Sequence, residues 1–280
     1  MFSLQNSGNP EMPPLVKAIV LQIFTVMLLT VLRPSAKRAY GANWIFVTPG
    51  VLFSLEAGQS ALFLQYPPSD PGFVAALLFQ LAYSFFKYTG MQKDLIEKFK
   101  TCVGMPTDPE KLAESRTDLC VIATAHNFSE IAAIVFLFIL LFAEKLCYAV
   151  GLSASGSLAD VMDNRYRTTG MLSGWRLDVK TGESIPFEQS VLALLIVLLG
   201  RVGVTLLEEK FGSKRFGPRR KTVKRLLDLI MRDGPRNFRM MCYAMVVAQL
   251  FIVPSEMAYY GRWMYENACG EASAECKLAT

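Results

Sequence analysis

The run SVLALLIVLLGRVGVTLL, Ser190 to Leu207, carries one charged residue in eighteen. Coiled as a helix it extends about 27 Å, close to the ~30 Å hydrocarbon thickness of a bilayer. Bare backbone amides are not tolerated in that solvent, so such a segment must satisfy its hydrogen bonds internally, as a helix does. Six blocks of this kind can be read, at about 15–32, 44–66, 73–88, 119–142, 187–207 and 240–260. They are continuous rather than alternating, which argues against a β-barrel. The chain is 52% hydrophobic and 19% charged, against roughly 25% charged residues in a soluble domain. The expected fold class is therefore all-α, a polytopic membrane protein built as a bundle of about six transmembrane helices. The third block is the weakest and reaches Tyr88 only if Lys87 snorkels to the interface.

These spans are expected to form one domain over residues 1–265, with long loops at 143–186 and 208–239 and a mobile tail at 266–280. Lys17 is a thin basic n-region, and RPSAKRAYG after the first block is basic, so that block reads as a retained anchor. Twenty of the 29 Lys and Arg residues fall in the first, third and fifth loops. The positive-inside rule places those loops in the cytosol and both termini on the other side.

In the fifth loop, RRKTVKRLLDLIMRDGP puts Val223, Leu226, Leu227, Ile230 and Met231 on one helical face. Lys221, Lys224, Arg225 and Arg232 occupy much of the rest, so this piece is expected to be a basic amphipathic helix on the membrane surface. There an anionic cytosolic leaflet would attract it; packing on neighbouring loops is the other reading. In the third loop, Asp108 followed by Pro109 is a helix start signal, so the fourth span is expected to be the later part of a longer helix. In the fourth loop, Thr181-Gly182 reads as a turn. Cys269 and Cys276 in the tail could pair or stay free.

Ionisable groups within the apolar blocks are the chief candidates for a site, because an ion at mid-bilayer costs at least about 2.5–3.5 kcal/mol. Glu56, Glu130, Arg201 and Glu256 lie there, and His126 is the chain's single histidine. In the second span Gly50, Ser54 and Gly58 form a small-residue packing strip, and Glu56 with Gln59 makes a polar edge beside it. Glu256 follows Pro254 toward the outer end of the sixth span. In the fourth, His126 and Glu130 share one face, with Asn127 and Ser129 alongside. The fourth and fifth spans run in opposite directions, so Glu130 is expected to pair with Arg201, with His126 bonding beside them. That polar set reads either as a packing network or as a titrating, substrate-contacting path.

Catalytic motifs do not emerge. There is no Walker loop, CxxC pair, nucleophile elbow or zinc-protease motif. One histidine cannot supply a bis-histidine haem, nor the two Glu-x-x-His motifs of a di-iron bundle. No metal, no cofactor and no nucleic-acid partner is expected. The favoured expectation is a non-enzymatic scaffold or assembly subunit of a membrane complex. Its partners would be the lipid bilayer and other membrane-protein subunits or a second copy of itself. The alternative is a small channel or transporter moving protons, cations or a small solute past Glu56, Glu130 and His126. A membrane lipid enzyme is the distant third.

Overall fold

Proline marks the start of three helices. Pro14, Pro71 and Pro109 each open one, at the position where a missing N–H costs nothing and the fixed φ favours the turn. Asp70 adds a side-chain cap, accepting from the Gly72 N–H at 2.7 Å. The computed structural model describes residues 13–41, 44–104, 109–153, 176, 185–216, 221, 224 and 228. Its helices are α1 (Pro14–Tyr40), α2 (Trp44–Ala61), α3 (Pro71–Tyr88), α4 (Met91–Cys102), α5 (Pro109–Ser153) and α6 (Phe187–Phe216). A 3₁₀ turn, Leu62–Gln65, prolongs α2. The described residues contain no strand.

Among the described residues three stretches are long and apolar enough to cross a membrane: Pro14–Tyr40, Glu114–Ala143 and Phe187–Gly212. They place the chain among membrane proteins. Each of these three helices outruns the apolar block that announces it. α5, at 45 residues, is about 67 Å long, twice the hydrocarbon thickness. The reason is that hydropathy marks only what faces lipid, whereas intrahelical bonding continues until a breaker stops it. α1 ends at Gly41, whose φ of 53° few side chains accept. α6 ends just before Gly217-Pro218. Between α3 and α4 the chain turns at Gly90, with φ 82°.

Packing closes the helices into a ring: α1 on α2, α2 on α5, α5 on α6, α6 on α3, and α3 back on α1. The α2–α5 contact is the most extensive. Gly50 and Gly58 of α2 are both buried, while the side chain of Ser54 lies outside the described set. α5 and α6 run in opposite directions, since Asn127 meets Glu208 and Phe142 meets Phe187. α3 and α6 run the same way, with Gln80 on Arg201, Ser84 on Glu208 and Phe85 on Phe211. One end of the ring is filled by Leu21, Phe63, Phe73, Leu137 and Leu194, all at most 1% exposed. Phe63 and Phe73 meet edge to face at 5.2 Å.

The block at 240–260, with Glu256, lies outside the described residues, as do Arg225, Arg232, Cys269, Cys276 and the turn at Thr181-Gly182. Lys221 and Lys224 are helical and exposed. Arg176 and Ile185 meet: the Ile185 N–H donates to the Arg176 carbonyl at 2.6 Å. The Arg176 guanidinium returns a bond to the Ile185 carbonyl at 2.8 Å.

Candidate functional site

Helical periodicity brings the polar residues inside the ring. On α5, Ala123, His126, Glu130, Ala133 and Leu137 recur at steps of three and four and are all buried. On α3 the buried stripe is Phe73, Leu77, Gln80, Ser84 and Tyr88. On α6, Arg201 and Glu208 are seven apart, on one face, and both buried. The interior is thus apolar at one end and polar in the layer that follows.

His126 is at the centre of that layer. Its Nδ1 lies 2.9 Å from Glu56 Oε1 of α2, and its Nε2 lies 3.4 Å from Glu130 Oε2 one turn along α5. The other Glu130 oxygen is ion-paired with Nε of Arg201 from α6. Arg201 also donates from Nη2 to Gln80 Oε1 of α3 at 3.1 Å. The series Glu56–His126–Glu130–Arg201–Gln80 therefore joins α2, α5, α6 and α3. The Tyr88 ring covers His126 with centroids 4.4 Å apart.

Two further clusters complete the network. Glu208 accepts from Ser84 Oγ at 2.7 Å and from Asn127 Nδ2 at 3.0 Å. Gln59 accepts from Gln22 Nε2 at 3.1 Å and donates to Thr25 Oγ1 at 2.8 Å, tying α2 to α1. Ser129 donates to the Pro49 carbonyl at 2.9 Å. The two residues of the polar edge on α2 thus serve different neighbours, Glu56 facing α5 and Gln59 facing α1. Asn127 belongs with Glu208 rather than with its neighbour His126.

Glu130 and Arg201 were within reach of sequence reasoning because each interrupts an apolar block. Gln80, Ser84, Tyr88, Gln22 and Thr25 were not, since uncharged polar residues are unremarkable in a span. Glu208 falls one residue beyond the apolar block at 187–207. Its signal is the seven-residue spacing from Arg201, which counts only if α6 continues.

One oxygen from each of Glu56 and Glu130 and one nitrogen of His126 lie within 4.8 Å of one another. A cation could be reached by all three. The Arg201 guanidinium already lies on Glu130, however, and the two imidazole nitrogens face different carboxylates, so a single ion would have to displace an existing pair. Compared with protein-family models, curated proteins and solved structures, the chain matches none.

Proposed function

We propose that the chain is a multi-pass membrane protein of about six spans acting as a non-enzymatic scaffold or assembly subunit. In this reading the polar layer locks the helices in one arrangement. Three of the spans are the long apolar helices already described. α2 and α3 join them because they complete the same ring, and the block at 240–260 supplies the sixth. The basic first, third and fifth loops face the cytosol, with both termini opposite. The lipid bilayer, other subunits or a second copy of the chain are its partners, reached through outward apolar side chains such as Met27, Phe128, Ile139 and Leu199.

The observation that carries the reading is where the polar layer ends. Glu56, Glu130 and Glu208 each meet a basic or hydrogen-bonding partner on the ring, and the layer then abuts the packed apolar end of Leu21, Phe63, Phe73, Leu137 and Leu194. Such a plug opposes hydrated ion passage and suits a network whose work is to fix packing. One observation favours transport as the second reading. His126 lies 2.9 and 3.4 Å from two carboxylates, yet both of its ring nitrogens and both Glu56 oxygens are buried without a hydrogen bond, as is Arg201 Nη1.

Reconstitution of the full chain into sealed vesicles with an internal pH dye separates the two. The scaffold reading predicts no proton or cation flux above protein-free vesicles. It also predicts that the chain extracted from its membrane in mild detergent elutes larger than its own monomer. A pH-driven flux abolished by His126→Gln in a well-folded variant would transfer the assignment to transport.

A further inference from the structure

At one end of the ring the long apolar stretches stop together. That of α1 ends at Tyr40, that of α5 begins at Glu114, and that of α6 ends at Gly212. Lys37 of α1 is held there by Glu114 and Asp118 of α5. Phe211 of α6 meets Phe85 of α3 with ring centroids 5.6 Å apart. Helix α4 starts from the same level. It follows α3 through the turn at Gly90, and Lys93 in its first turn is engaged by the carbonyl and hydroxyl of Ser115, at the start of the α5 stretch. In a bilayer, hydrocarbon gives way to headgroups where apolar stretches end.

α4 has no buried residue. At about 3.6 residues per turn, Met91, Leu95, Ile96 and Phe99 fall within one arc, and they are 39%, 62%, 46% and 68% exposed. Gln92 is the one polar side chain inside that arc. Lys98 borders it on one edge and Lys100 on the other, both exposed, while Asp94, Glu97 and Thr101 lie across the helix. α4 packs chiefly on α3 and leaves its apolar side open. The edges of that side say what covers it. Lysines are depleted at protein–protein interfaces. On a membrane surface they are favoured, because their stems run along the apolar side while the ammonium groups reach the phosphates.

We propose that α4 is an in-plane membrane helix, with Leu95, Ile96 and Phe99 sunk into the boundary between headgroups and acyl chains. Lys98 and Lys100 then sit at the level of the phosphates, and Glu97 faces water. The inference rests on the membrane reading above and adds to it a lipid contact that no span makes. At 12 residues, α4 is about 18 Å long, too short to cross the hydrocarbon and long enough to lie along it. Asp94 and Glu97 offset much of its basic charge, so the apolar side, more than the headgroup's charge, drives insertion. Tyr88, whose ring covers His126, stands just before the Gly90 turn, so α4 pins that end of the polar layer to the membrane surface.

The test uses the full chain reconstituted into phosphatidylcholine vesicles, with and without bromine on the upper acyl carbons. Tryptophan is introduced singly as Phe99→Trp on the apolar side, Glu97→Trp across the helix, or Phe128→Trp midway along the α5 stretch, and the emission of the native tryptophans is subtracted. Bromine is expected to quench the added emission of Phe99→Trp at least about twofold and that of Glu97→Trp by no more than roughly a tenth. Iodide, which stays in water, should show the reverse order. If Phe99→Trp does not elute as a single folded species, Leu95→Trp decides. Equal quenching of the two α4 positions would overturn the proposal. So would a Phe99→Trp emission that bromine leaves alone while it quenches Phe128→Trp, the outcome expected if another segment of this chain, a second copy or a protein partner covers α4. The Phe128 position separates this failure from failure of the membrane reading. Phe128 is 69% exposed at the middle of its stretch, and an emission there that bromine does not touch would sink both.

Discussion

A neutral imidazole has one N–H and can donate to only one carboxylate. His126 nevertheless faces two, Glu56 at 2.9 Å and Glu130 at 3.4 Å. The doubly protonated ring can serve both, and together with Arg201 it would leave the four groups without net charge. Loss of the ring strands Glu56, which is 1% exposed, and a buried charge robbed of its partner typically costs about 3–5 kcal/mol. His126→Ala should therefore lower the thermal midpoint of the purified protein sharply, and Glu56→Leu in that background should recover much of the loss. A His126→Ala protein as stable as wild type would mean that the ring does not hold Glu56. At this scale polar residues beside a charge inside an apolar block were legible, Gln59, Asn127 and Ser129 among them, and those on otherwise plain helix faces were not. Glu130 and Arg201 stand out in any apolar block. Gln80 and Ser84 become visible only once Arg201 and Glu208 are known to lie opposite them.

At the scale of elements, starts were legible and ends were not. Pro109 opens α5 as its position after Asp108 suggests, and Pro71 opens α3 with Asp70 capping it. The ends of α1, α5 and α6 lie well beyond the apolar blocks because helical bonding is indifferent to where lipid stops. α4 escaped notice for a related reason. Its apolar side is short and interrupted by lysines, so it reads as loop until its exposed Leu95, Ile96 and Phe99 are seen together. Close approaches between elements were also invisible in the sequence. A Cβ on Gly72 would come 2.7 Å from Cγ of Pro14, where the start of α3 meets the start of α1. Near a helix start, Gly→Ala ordinarily gains a few tenths of a kcal/mol in propensity. Here overpacking, usually worth about 1–3 kcal/mol, should win, so Gly72→Ala is expected to lower the thermal midpoint. A raised midpoint would show that the two helices do not touch there.

For the molecule as a whole, the all-helical membrane class was legible from block length alone, because no other structure satisfies some twenty apolar residues in lipid. Ring order was not, since it depends on which polar residue meets which across helices. Three separate sets of hydrogen bonds and ion pairs follow that order: Gln22–Gln59–Thr25, Glu56–His126–Glu130–Arg201–Gln80, and Ser84–Glu208–Asn127. Together they link all five ring helices, and in the scaffold reading they lock the bundle. Its most direct test is a double-mutant cycle on Glu130 and Arg201, using Glu130→Gln, Arg201→Gln and the pair, read by thermal unfolding in detergent. The account predicts that each single variant is strongly destabilised and that the double loses less than the two losses combined, with a coupling of about 2 kcal/mol or more. Additive losses, or single variants that unfold like wild type, would contradict it.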